Sequence, residues 1–280
     1  MKRPTARRRA LVLGLCFLLA NPVWAIDLGD LIEIGSKIGE LSRDITVEEE
    51  IDIGGNLISG LLGAAPLVND DDLQRYVNDV GYWIASNSKR PDLPWTFGVI
   101  DSEGINAFAA PGGYVVVTRG LFNLLENEAQ LAGVLGHEIA HVVEKHHLDA
   151  LDSVMKRELW ADLAVAAADD AEDRRSLSVL VNTGVQLYSK GLDRELEFDA
   201  DLRGVVLAAR AGYDPYALLD VLTTIDSINP DSAELTVLLK THPPANERLN
   251  RLAESMDGEL DTYAQGKSNL LRFRQVAAAP

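Results

Sequence analysis

The chain has 280 residues, 47% of them hydrophobic, with 26 basic against 43 acidic side chains and a formal net charge of −17. So negative a surface argues against nucleic acid and anionic lipid headgroups as partners, since both carry the same sign of charge. The one cysteine, Cys16, lies within the first 25 residues, so a chain that loses them has neither a disulfide nor a thiol nucleophile.

Residues 1–25 have the layout of a secretory signal. Lys2, Arg3, Arg7, Arg8 and Arg9 form a basic start, LVLGLCFLLA a short apolar core, and Ala25 a small residue before Ile26. The core is too short and wrongly flanked for an ordinary membrane span, and an uncleaved anchor is the alternative. Leu15 stands where lipidation of Cys16 would need a small residue. A bacterial periplasm fits this export signal, with no integral span after cleavage. Residues 26–44 are expected to form an N-terminal arm, 45–258 one globular domain and 259–280 a tail.

Within the domain, Leu73, Tyr76, Val77, Val80 and Ile84 recur at helical spacing after the acidic start NDDD. Trp95, Phe97 and Val99 alternate as a strand does, and PGG leads into Tyr114–Thr118, rich in β-formers. A small antiparallel sheet is therefore expected just before a helix covering LAGVLGHEIAHVVEKHH. A second helix, RELEFDADLRGVVLAARAG, ends near Gly212 and Pro215, and short helices follow over 216–225, 231–240 and 245–255. The fold class is α+β, mostly helical.

His137, Glu138 and His141 spell HExxH. Four residues advance a helix by about 400°, so the two imidazoles leave one face about a turn apart and can reach one ion. Glu138, beside the first of them, can reach a water at that ion without ligating it. A catalytic zinc needs a third protein ligand and an open position. His146 and His147 are too close in sequence to fold back unless the helix breaks, and no Gly or Pro is there to break it. Glu197 can ligate from the second helix, and Asp201, one turn on, can accept an imidazole N–H from behind. Glu195 and Asp199 read as a solvated face. His242 precedes two prolines, and on sequence alone it is as well explained as a turn residue.

With these pieces in place, the chain resembles the M48 peptidases, the family of CAAX prenyl proteases and of periplasmic quality-control proteases. The resemblance rests on NAFAAPGGYVVVTRGL (106–121), LAGVLGHEIAH (131–141), RELEFDAD (194–201) and THPPANERL (241–249), in that order. It implies a gluzincin-type zincin domain with one Zn2+ per chain on His137, His141 and Glu197. It implies Glu138 as general base and acid, and a place for His242 near the metal, either closing the open position in a latent state or stabilising the oxyanion. The multi-span architecture of the prenyl proteases and the helical-repeat domain of some periplasmic relatives are not seen, which points to the small soluble branch.

The expected function is a secreted zinc endopeptidase acting on unfolded or extended polypeptides, with outer-membrane proteins or their assembly machinery as possible clients. A latent, chaperone-like zinc factor with His242 closing the site is the alternative, and a purely structural zinc protein the least favoured. The strand Tyr114–Thr118 is expected to offer a sheet edge for substrate pairing. Residues 161–191 are expected to connect the two ligand helices as a helical pair that could gate the cleft.

Overall fold

A computed structural model describes residues 44–154, 191–256, 258 and 260–278. The expected signal segment, all of the expected arm but Asp44, and all of the stretch 161–191 but Gly191 lie outside the described residues. None of the described helices is long and apolar enough to cross a membrane.

Helix α1 (Val47–Ala64) opens with a capping box, in which Thr46 and Glu49 each accept the other's backbone N–H. Its buried Glu50 accepts both Arg90 guanidinium nitrogens at 2.9 and 2.7 Å and the Gly112 N–H at 3.0 Å. Arg90 also donates to the Val142 carbonyl, so this pair fastens α1 to the sheet turn and to the HExxH helix. Helix α2 (Asp71–Ala85), capped by Asp70, buries Leu73, Tyr76, Val77, Val80 and Ile84, the positions that the spacing marks.

Strands β1 (Thr96–Ile100), β2 (Ala107–Ala110) and β3 (Tyr114–Thr118) form one sheet in the order β1-β3-β2. The expected antiparallel sheet is in fact mixed. β2 and β3 form an antiparallel hairpin through Pro111-Gly112-Gly113, whereas β1 pairs with β3 in parallel. The turn accounts for the hairpin: Gly112 has φ 81° and lies so close to α1 that a Cβ there would meet Ile51 Cα at 2.6 Å, so the chain reverses at once. The sheet is mixed because β3 then lies between β2 and β1. A second correction follows. Tyr114–Thr118 is the central strand, paired on both sides, and cannot serve as a substrate edge.

After α3 (Arg119–Leu124) comes the HExxH helix, α4 (Glu128–Val143), buried at every position from Glu128 to Val142. Its first turn is satisfied from a distance: the Ser268 carbonyl accepts the N–H groups of Glu128 and Ala129, while Asn127 caps Gln130. The fully buried Glu128 carboxylate accepts hydrogen bonds from Tyr76 (2.8 Å), Tyr213 (2.9 Å) and Asn269 (2.7 Å), with Arg272 at 3.4 Å. The expected single helix through His147 is not found. Lys145 adopts φ 61°, the left-handed region, and residues 146–154 start a new helix. A left-handed lysine costs about 1–2 kcal/mol, a cost invisible to a search for Gly or Pro.

Helix α5 (Arg194–Arg210) is capped by Asp193 and stops at Gly212, φ 89°, as the sequence indicates. It crosses α4 where Gly136 faces Gly204. A Cβ on Gly136 would lie 2.6 Å from the Gly204 carbonyl oxygen, and one on Gly204 2.6 Å from the His137 nitrogen. This contact brings the α5 carboxylates onto the α4 imidazoles. Gly204→Ala is accordingly expected to push the helices apart, costing about 1–3 kcal/mol in urea unfolding and weakening metal binding in parallel. Unchanged stability and metal affinity would show that the approach is not needed.

Helix α6 (Ala217–Asp226) packs on α4, and α8 (Ala245–Met256) packs on α5 and α6, with the short α7 (Leu238–Thr241) just before α8. Helix α9 (Leu270–Ala277) corrects the reading of 259–280 as a tail. Phe273 is buried in the core against Phe122 and Tyr76, and Lys267 bridges to Tyr213.

Candidate metal centre

Helix α4 supplies His137, Glu138 and His141, α5 supplies Glu197 and Asp201, and the chain around the start of α8 supplies His242 and Arg248. The Nε2 atoms of His137 and His141 lie 3.1 Å apart. Glu197 places Oε2 3.7 Å from His137 Nε2 and Oε1 3.5 Å from His141 Nε2. The three donors fall within 4.8 Å of one another and are buried. Tetrahedral ligation at about 2.0–2.1 Å separates neighbouring donor atoms by about 3.3 Å, so two nitrogens and a carboxylate oxygen at these spacings suit a zinc-sized ion.

The outward nitrogens support that reading. His137 Nδ1 lies 2.8 Å from Asp201 Oδ1, and Arg248 grips Asp201 through Nε (2.9 Å) and Nη2 (2.6 Å). With Nδ1 engaged, the His137 lone pair is left on Nε2, facing the other donors. His141 Nδ1 in turn lies 3.1 Å from His146 Nδ1.

The electrostatics are those of a buried, balanced cluster. Burial pushes Glu197 up, but the charge and hydrogen bond of His242, then His137 and Arg248, hold it down at about 2. Burial likewise raises Asp201, and Arg248 outweighs it, leaving the carboxyl well below its usual range. Burial keeps His141 neutral, shifted well below the ordinary histidine value, helped by the neighbouring His137. His137 moves up instead: burial and Arg248 lower it, and Asp201 overcomes both. A metal there displaces a proton, so its affinity rises with pH. Glu138 is raised, chiefly by burial.

A cleft opens on this cluster between β2 and α4, lined by Ala107, Phe108, Ala109, Glu138, His147, Glu197 and His242. His242 Nδ1 lies 2.5 Å from Glu197 Oε2, and its ring centre 5.6 Å from that of His137. All six residues singled out in the sequence, His137, Glu138, His141, Glu197, Asp201 and His242, thus meet in one place.

Four participants were not anticipated. Arg248 sits with Ala245, Leu252 and Met256 on the buried face of α8, and an arginine in that stripe signals a buried carboxylate partner. His146 and His147 reach the cluster only because of the break at Lys145, which has no signature in residue type. Asp199, read as solvated, is half-buried and lies 3.6 Å from His146 Nε2.

Comparison with known proteins agrees with this arrangement. The chain is 30% identical over 233 residues to a beta-barrel assembly-enhancing protease of Escherichia coli strain K12, covering 81% of this chain and 47% of that protein. A putative beta-barrel assembly-enhancing protease of Vibrio cholerae is 28% identical over 242 residues, or 84% and 50% of the two chains. The mitochondrial metalloendopeptidase OMA1 of Arabidopsis thaliana is 31% identical over 172 residues, 61% of this chain and 33% of that one. The chain thus spans about half the length of the bacterial relatives it matches. The model of peptidase family M48 matches residues 70–256, which include every residue of the cluster, and the chain belongs to that family.

Proposed function

We propose that this protein is a zinc endopeptidase of the bacterial periplasm, exported by its N-terminal segment, that cuts unfolded or misassembled envelope proteins. The observation that carries the reading is the buried His137–His141–Glu197 donor set with Glu138 beside it, lining the same small pocket as Glu197 and His242. Relatives named for β-barrel assembly support the client class, outer-membrane proteins and their assembly machinery.

In this mechanism His137, His141 and Glu197 hold the ion, and Asp201 orients His137 from behind. The chemistry that zinc supplies there is Lewis acidity toward a carbonyl oxygen and toward water. An extended peptide lies in the cleft along β2, in place of the central strand expected from the sequence. Glu138 takes the proton of the attacking water and passes it to the leaving amine. Burial raises Glu138 and so strengthens it as a proton acceptor while leaving it able to give the proton back.

The contact of His242 with Glu197 supports a second state of the same site, in which that ring crowds the open position and the protein binds clients without cutting them. The test is digestion of a urea-unfolded outer-membrane β-barrel protein by the purified full chain and by His242→Ala, with and without a zinc chelator. Internal cuts are expected that disappear with chelator, return with zinc, and quicken several-fold in His242→Ala. A slower His242→Ala enzyme assigns the ring to the oxyanion instead. No internal cuts by either protein would sink the peptidase reading.

A further inference from the structure

The two imidazoles facing the ion site are backed by different chemistry. His137 leans on a carboxylate, Asp201, that Arg248 neutralises. His141 leans on a second imidazole, with Nδ1 facing Nδ1 at 3.1 Å. Behind it, His146 Nε2 lies 3.6 Å from Asp199 Oδ2, Asp199 accepts from Arg203, and Arg203 donates to Glu144 at 2.9 Å. Both rings are buried, His141 at 1% exposure and His146 at 6%.

This contact depends on the break in the chain. On an unbroken helix, five residues advance the direction by about 500°, so His146 would point about 140° away from His141. The left-handed turn at Lys145 brings it back underneath. The proton positions then follow in sequence. A ligand His141 keeps its lone pair on Nε2, so its one proton sits on Nδ1 and needs an acceptor. At 3.1 Å that acceptor is His146 Nδ1, which leaves the His146 proton on Nε2, toward Asp199.

We propose that His146 is the positioning residue for His141: it accepts the His141 Nδ1–H on its own Nδ1, and so holds the ring with Nε2 aimed at the metal. The proposal rests on the zinc reading above. It gives each imidazole ligand its own support, Asp201 for one and the His146–Asp199 pair for the other. Partners of this kind typically change metal affinity about 10- to 100-fold when removed.

The test compares His146→Leu, which fills the space without an acceptor, with His146→Asn, whose Oδ1 falls where Nδ1 stands. The readouts are the zinc dissociation constant, from competition with a chromophoric chelator, and the melting temperature of the metal-free protein. The leucine variant is expected to bind zinc about 10- to 100-fold more weakly, and the asparagine variant within about threefold of wild type. All three metal-free proteins should melt together. Should the leucine variant not fold, His146→Gln, whose polar end falls at the Nε2 position, takes its place and is expected to weaken binding in the same way. Equal affinities across the series, or losses that track the metal-free melting temperature, overturn the proposal. If wild type binds no zinc, the metal reading falls and this inference with it; if wild type binds and the leucine variant matches it, only the inference falls.

Discussion

Glu138→Gln is expected to bind zinc as tightly as wild type and to lower kcat by about 10²- to 10⁴-fold, the usual contribution of a positioned proton-transfer group. Glutamine keeps the size and the hydrogen-bonding reach of the side chain but has no basic oxygen to take a proton. Glu138 is not among the three donors that converge, so removing its charge leaves the donor set whole. Because burial raises its carboxyl, the acid limb of wild-type kcat/KM should lie above the ordinary glutamate value of 4.5. The measurement is turnover of a quenched-fluorescent peptide alongside metal content by mass spectrometry. Zinc-dependent cleavage retained in the variant would remove Glu138 from the mechanism, and loss of zinc would make it structural.

The largest effect on stability is expected from Arg248→Leu. Arg248 and Asp201 are each almost wholly buried and joined by two hydrogen bonds. Removing the guanidinium strands a carboxylate away from water, a change that costs about 3–5 kcal/mol. Urea unfolding of the metal-free proteins at neutral pH reads this directly. The sign of the pH effect provides a check. Burial raises the Asp201 carboxyl, and Arg248 more than reverses this, so the folded value lies below the ordinary 3.8. Stability from the pair is therefore complete above 3.8 and lost as pH falls toward the folded value. The gap between wild type and variant should narrow as pH drops below 3.8. A gap under 1 kcal/mol at neutral pH, or one that widens in acid, would mean the pair does not hold α8 in place.

Much of the site was legible because its chemistry is tied to helical spacing. HExxH and ExxxD fix which residues share a face, and α4 and α5 present those faces to each other. The Gly136–Gly204 approach that docks them gives no such signal, since glycine within a helix can equally be a tolerated defect. The sheet was legible strand by strand but not in its order, because strand composition does not say that β3 lies between β1 and β2. The role of His146 was hidden by a left-handed lysine. The docking of α9 was hidden because Phe273 alone carries most of its burial, too little for a periodic pattern to reveal.

The Ser268 carbonyl that receives the first N–H groups of α4, and Asn269 and Arg272 beside the Glu128 carboxylate, bear on the order in which this molecule matures. A chain emerging from a ribosome presents HExxH more than a hundred residues before the groups that seal the front of its helix. Until residues 268–273 arrive, that front turn carries bare donors and a charge without its full set of partners. The front of α4 is thus completed only once residues 268–272 have been made, and a product stopped short of Ser268 would leave the first turn of the HExxH helix without these partners.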